Sequence, residues 1–372
     1  MTATLEQHPT ALAQPPTDPE QHAAPAGEWQ SFHIFYSASP RPLLLQCVEP
    51  LVESLGRDGL LAGHFFINYW LQGPHVRLRL RPVSAAAAAE VRERAEAAIT
   101  DFLRRRPALY EIPPGYLDAH FEKAFALEYS PDQRAALTGP DGLMRLRPNN
   151  SFTREAYEPE YGKYGGPAGV ALAEWHFQHS SELVIDVSRT LNLHLRTVAL
   201  GLSAQLMMVM SACLLPREQE LEEFFSDYHG FWRDASTSLP GADLDGFGRA
   251  YQASGESLGP RFERIIAAIA ADDLDGLPGT LRRWADHCRE LRRRVVELTT
   301  SGRLVLDDGA APGEPAAGAA LTDPQQTLPR LLVPYLHMTN NRLSMGLQDE
   351  AYLAYGLARG LRESRELREA GA

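Results

Sequence analysis

Regular patterning of apolar and polar positions begins at "WQSFHIFYSA", where Phe32, Ile34 and Tyr36 recur at every second residue, the period of a strand with one buried face. The next stretch, "RPLLLQCVEPLVESLGRDG", changes to helical spacing. Gly56 and Gly59 end it, and Pro50, which lacks an N–H, is expected to kink it. "HFFINYWLQGPHVRLRLRP" holds two strand-like runs joined at Gly73 and Pro74, as a hairpin or a slightly longer turn. An Ala-rich helix follows, "SAAAAAEVRERAEAAITDFLRRR", whose closing arginines suit the negative end of the helix dipole. Strand, helix, strand, strand, helix predicts an α+β fold: an antiparallel sheet with helices packed on one face.

The stretch from Pro107 to Asn150 is rich in turn formers. From Gly169 onward helical spacing dominates, so a largely helical C-terminal half is expected. The longest apolar run, Val198 to Leu215, carries Ser203, Gln205 and Ser211 and reads as a buried helix rather than a membrane span. Residues 308–325, "DGAAPGEPAAGAALTDPQ", have the composition of a linker or mobile loop. Residues 1–28, rich in Pro, Ala, Gln and Thr without an apolar core, read as a disordered tail and not as a secretory signal. The expected organisation is one domain over 29–365 with a mobile loop at 308–325.

Bulk composition narrows the function classes. Hydrophobic residues make up 44% and charged residues 23% of the 372, ordinary for a soluble globular protein. A net charge of -12 opposes non-specific wrapping of nucleic acid, because a polyanion is repelled. Cys47, Cys213 and Cys288 are odd in number, far apart and in no C-x-x-C pair. That pattern fits a cytoplasmic protein and gives no zinc or disulfide signature.

Three segments can carry chemistry. His75, Arg77, Arg79 and Arg81 share one face of a strand, with Val76, Leu78 and Leu80 on the other. Such a face is either solvated, each Arg paired to a nearby acid, or a clamp for a carboxylate or oxyanion. In "YEPEYGKYGGP", Glu158, Glu160 and Lys163 surround Gly165 and Gly166 ahead of a helix. This is either a helix-entry turn with a surface ion pair or a place where backbone donors and charges converge. In "PYLHMTNNRL", His337 is either a core histidine or a proton shuttle. His176 and His179 have i, i+3 spacing without an evident third ligand, so no metal site is expected. Ser180 and Ser181 lack a nucleophile-elbow context, and Met207, Met208 and Met210 read as core packing.

Together these segments resemble the thiopeptide-type bacteriocin biosynthesis family, which includes the C-terminal elimination domain of lantibiotic dehydratases. The resemblance runs from Trp29 to Arg362. Its landmarks are "FFINYWLQGPHVRLRL" (the family reads roughly FFIRYxxxxPHLRLR), "YEPEYGKYGG" (roughly YxxExxRYGG) and "LHMTNNRL" (roughly LHMxxNRL). The resemblance implies removal of glutamate from glutamylated Ser or Thr of a precursor peptide, leaving dehydroalanine or dehydrobutyrine. Carried over by position, Arg77, Arg79, Glu160, Lys163 and His337 are the implied catalytic residues. His75, Arg81, Asn68, Tyr164, Asn341 and Arg342 are the implied substrate-binding ones. The implied partners are the precursor peptide, leader and core, and a glutamyl-tRNA-dependent dehydratase protein. Two positions depart from the pattern: Lys163 and Asn68 stand where the family has arginine, and Lys lacks the planar fork. A sister branch, the pyridine synthases, joins two dehydroalanines by a formal [4+2] cycloaddition with leader release and needs no glutamate clamp.

Elementary chemistry supports the resemblance. Removing an α C–H beside an amide carbonyl needs a nearby base and cationic or hydrogen-bonding support for the developing enolate. Guanidiniums of Arg77 and Arg79 supply the second, and beside His337 they would keep its imidazole neutral. No metal or organic cofactor is called for. The reading from another class is a non-catalytic partner that binds the leader peptide along a strand edge or groove.

Overall fold

The computed structural model describes residues 27–113, 115–118, 125, 129–236, 246–254, 258–307 and 313–371. Four strands, β1 (Gln30–Phe35), β2 (Leu61–Tyr69), β3 (His75–Pro82) and β4 (Ser151–Glu155), form an antiparallel sheet in the order β2-β3-β1-β4. Register sets Phe66 and Phe32 on either side of Leu78, with Ile34 beside Val76. All of these are buried, as the two-residue period requires. Helices α1 (Arg41–Leu43), α2 (Glu49–Arg57) and α3 (Ala88–Arg105) cover this face with Leu43, Leu55, Val91, Ile99 and Phe102. Between α1 and α2 the backbone stays helical through a π turn, Leu44–Val48. Pro50 falls in the first turn of α2, directly after this π turn, a position that a residue without an N–H tolerates.

Residues 1–26 of the expected tail lie outside the described residues, but Gly27 is buried and its N–H donates to the Pro82 carbonyl at 2.9 Å. The turn-rich stretch holds a capped helix, α4 (Pro131–Leu137), in which Ser130 and Gln133 bond reciprocally. Then come α5 (Tyr161–Tyr164), α6 (Gly166–Thr190), α7 (Arg196–Leu214), α8 (Glu218–Ser236), α9 (Phe247–Ser254), α10 (Leu258–Ala270) and α11 (Gly279–Thr300). After a two-stranded ribbon, β5 (Leu304–Val305) and β6 (Ala320–Leu321), the chain ends in α12 (Pro324–Arg342) and α13 (Leu347–Gly371). Among the described residues α7 is the one helix long and apolar enough to cross a membrane. Most of it, 72%, is buried against its neighbours, with Met207, Met208 and Met210 in the core.

Residues 308–312 of the expected linker lie outside the described residues. From Gly313 the segment is tied down: Gly313 N–H donates to the Pro159 carbonyl, Ala317 N–H to Asp307 Oδ2, and Ala320 pairs with Val305. Its Ala, Gly and Pro content hides a strand and a helix start.

The exposed edge of β2 is closed by side chains rather than by another strand. Asn341 Oδ1 accepts from the Asn68 N–H at 2.9 Å, and Asn341 Nδ2 donates to the Asn68 carbonyl at 2.7 Å. Ser181 Oγ on α6 accepts from the Phe66 N–H at 3.1 Å. The helical half is thereby hydrogen-bonded to the sheet where an unpaired edge would otherwise remain.

Leu78, fully buried at the sheet centre, is expected to cost about 2–5 kcal/mol on substitution in Leu78→Ala, read by urea unfolding. Leu367→Ala, at a side chain 74% exposed, should stay within about 0.5 kcal/mol of the parent.

Candidate functional site

Parity and register assemble a cationic surface on the other face of the sheet. His75, Arg77, Arg79 and Arg81 of β3 lie between Tyr69, Ile67, Phe65 and Gly63 of β2 and Phe35, His33 and Ser31 of β1. Arg77 sits 3.5 Å over the Tyr69 ring, and its Nε donates to His75 Nε2 at 3.2 Å. His75 Nδ1 donates in turn to the Gly73 carbonyl at 2.8 Å, which fixes the tautomer. Arg79 is 5% exposed and lies 5.5 Å from the Tyr157 ring; its Nε and Nη1 have no hydrogen-bond partner. Among the described residues neither Arg77 nor Arg79 is in an ion pair. Burial and then Arg77 lower Arg79 to about 9. Arg81 faces Glu174, whose carboxyl burial pushes up while the Tyr157 hydroxyl and Trp29 indole pull it down.

The same field acts on two imidazoles. Burial, then Arg77, lowers His75 to about 3. Burial, then Arg77, lowers His33 to about 2, and His33 stacks on His75 with ring centroids 5.0 Å apart. Both rings are neutral at pH 7, and His33 Nε2 is buried without a partner. His33 escaped the sequence reading because its place beside Arg77 depends on the β1–β3 register.

His337 has direct partners of another kind. Its Nδ1 lies 2.8 Å from Glu350 Oε1, and its ring stacks on Trp232 at 4.6 Å. The partner on the imidazole is a carboxylate, not a guanidinium. The partners just given for Arg77 and Arg79 belong to the sheet face, whereas those of His337 come from α8 and α13. Glu350, 0% exposed, also accepts from the Tyr228 hydroxyl and Asn340 Nδ2. No local motif marks Glu350 or Tyr228: Glu350 meets His337 from the next helix, and Tyr228, over a hundred residues earlier in the chain, reaches Glu350.

The remaining predicted residues fall into two groups. Lys163 Nζ pairs with Glu160 Oε1 at 3.1 Å, with both side chains near half exposed. Gly165 and Gly166 take φ of 92° and 80°, values that favour glycine, and a Cβ on Gly165 would meet the Leu304 side chain at 3.0 Å. The turn presents carbonyls more than donors: Gly162 and Gly165 accept from the Asp307 and Val305 N–H groups. Asn68, Asn341 and Arg342 meet at the β2 edge, where Asn68 Nδ2 donates to the Asn341 carbonyl at 2.7 Å. Arg342 is buried, its Nε donating to Ser181 Oγ at 3.1 Å and its Nη1 to the Met338 carbonyl at 2.6 Å. Tyr164 packs between Phe177 and Tyr335, and burial holds its phenol well above the usual range. His176 bonds His287 at 2.9 Å deep in the helical core. Among the described residues no cluster of metal-ligating side chains forms.

An antiparallel sheet whose polar face carries adjacent arginines, followed by a helical half bearing a histidine–carboxylate pair, defines the class of molecule. Residues 29–361 match the family described as lantibiotic biosynthesis dehydratase C-term, and the chain belongs to that family. Membership places it among proteins that modify ribosomally made peptides. The fold is similar to that of the pyridine synthase TbtD from thiomuracin biosynthesis, with a TM-score of 0.66 at 20% identity over 91% of this chain and 99% of that one. It is similar also to TsrL, with a TM-score of 0.62 at 18% identity over 91% and 95% of the two chains. The tRNA-dependent lantibiotic dehydratase MibB from Microbispora sp. 107891 aligns at a TM-score of 0.44 and 18% identity, over 95% of this chain and 29% of its own. No curated protein sequence matches the chain.

Two outcomes follow from the electrostatics. Arg79→Met removes a buried charge that has no ion-pair partner among the described residues and whose burial outweighs the more distant pull of Tyr157 and Glu155, so the thermal unfolding midpoint should stay level or rise; a clear fall would show that the guanidinium stabilises the fold. His33, His64, His75, His176 and His287 all have lowered proton affinity in the fold, burial being the largest cause in each. The unfolded chain takes up those protons near pH 6.5, so the stability they carry is full above about 6.5 and lost as pH falls below it. Urea midpoints should be flat from about pH 7 to 8 and drop steadily toward pH 5; an unchanged midpoint at pH 5 contradicts this.

Proposed function

We propose that this protein eliminates glutamate from glutamylated Ser or Thr residues of a ribosomally made precursor peptide, working beside a glutamyl-tRNA-dependent dehydratase. The observation that carries the reading is Arg79: a buried guanidinium with idle Nε and Nη1 and, among the described residues, no ion-pair partner, on a face shared with Arg77. Such a group is built to receive an anion, and a carboxylate matches its fork. In the reaction Arg77 and Arg79 hold the glutamyl carboxylate. His337 takes the α-proton, the electrons of the broken C–H bond form the double bond, and the ester oxygen leaves with glutamate. The glutamyl chain separates its far carboxylate from the proton to be removed, so clamp and base need not touch.

A second reading is favoured by how the two departing positions are used. Asn68 ties β2 to α12, and Lys163 is spent on Glu160, so neither extends the clamp. TbtD is named a pyridine synthase, and joining two dehydroalanines into a pyridine would need no such extension.

One assay separates them. Incubated with glutamylated precursor, the protein should release glutamate as followed by mass spectrometry, and Arg79→Met and His337→Ala should each slow release on the order of 10²-fold or more. No release by well-folded protein rejects elimination. Conversion of a peptide already carrying dehydroalanines into a macrocycle with loss of leader would establish the second reading.

A further inference from the structure

Glu350 stands at the start of α13 with no exposed surface, and three side chains from two helices aim donors at its carboxylate. His337 Nδ1 of α12 reaches Oε1 at 2.8 Å. The Tyr228 hydroxyl of α8 and Asn340 Nδ2, at 3.3 Å, reach Oε2. Asn340 is itself oriented, its Oδ1 accepting from Ser203 Oγ at 2.7 Å. Burial, then the Glu350 carboxylate, holds the Tyr228 phenol well above its usual range, so that hydroxyl remains a donor. Among the described residues no Lys or Arg pairs with Glu350, and no other histidine has a carboxylate on a ring nitrogen. The far edge of His337 stays open, its side chain 26% exposed, while Trp232 stacks on the ring at an interplanar angle of 26°.

A neutral imidazole carries one proton on either nitrogen, and the hydrogen bond at one nitrogen decides which. A carboxylate oxygen accepts, so the nitrogen facing it must donate. We propose that Glu350 is the positioning residue of His337: with Tyr228 and Asn340 holding it in place, it keeps the proton on Nδ1 and leaves Nε2 as the atom that accepts the substrate α-proton. The inference rests on the reading of His337 as the base. In the step it serves, the substrate Cα–H bond breaks, Nε2 takes the proton, and the freed pair becomes the new double bond. The Cβ–O pair departs with glutamate, and Nε2 later returns its proton to solvent.

The tautomer is read directly from a long-range ¹H–¹⁵N spectrum of ¹⁵N-histidine-labelled full-length protein, with His337→Gln identifying the signal. An Nδ1–H pattern is expected in the parent protein, and an Nε2–H pattern overturns the proposal. In Glu350→Gln the amide can donate to Nδ1, so the signal should move toward Nε2–H. Turnover should fall on the order of 10²-fold or more with KM little changed. Glu350→Asp should recover part of the loss, and Tyr228→Phe should lose roughly 10-fold. Parent-like turnover in folded Glu350→Gln overturns the proposal. Should Glu350→Gln fail to fold, the parent spectrum and Tyr228→Phe decide. Unchanged turnover in His337→Gln would defeat the elimination reading and the catalytic half of this inference, while the spectrum still judges the Glu350–His337 contact.

Discussion

A side-chain amide standing in for a strand joins the two halves of this protein. Asn341 offers Asn68 both an acceptor and a donor, the pair of groups a neighbouring strand would offer, and Ser181 repeats half of that service two residues earlier. Each bond satisfies a backbone group at a sheet edge packed under helices, where leaving it without a partner would cost about 1–3 kcal/mol. The arrangement also sets where α12 lies along β2. That placement decides where His337, one turn before Asn341, stands relative to the arginines of β3.

Charge is distributed unevenly across the join. On the sheet face Arg77 and Arg79 have no acid in ion-pair contact among the described residues, and burial, aided by Arg77, keeps His33 and His75 neutral. In the helical half a buried carboxylate is held by three donors, with no cation paired to it among the described residues. Each centre lacks what the other has in excess. A substrate with an anionic arm and an acidic C–H would meet complementary chemistry at the two of them, which is the physical content of the elimination reading.

Local patterns were legible and long-range ones were not. The alternation from His75 to Arg81 fixed both faces of β3, and the Gly73–Pro74 punctuation located the hairpin, because strand parity and turn chemistry are written in adjacent residues. The positions of Arg77, Arg79 and His337 as singular residues were likewise visible. What surrounds them was hidden: His33 reaches Arg77 through a register between strands some 40 residues apart, Glu350 reaches His337 from another helix, and Tyr228 reaches Glu350 from a third. The carboxylate that packing places on His337 Nδ1 has no signal in the residues around His337. Composition misled at 313–325, where Ala, Gly and Pro conceal β6 and the start of α12.

Closing a sheet with side chains has a consequence for encounters with other chains. A naked strand edge is a template on which any extended peptide can crystallise its backbone. At Phe66 and Asn68 that template is already read by Ser181 and Asn341, so a foreign strand arriving there must first evict them. The protein handles peptides by profession, and this edge is withheld from them.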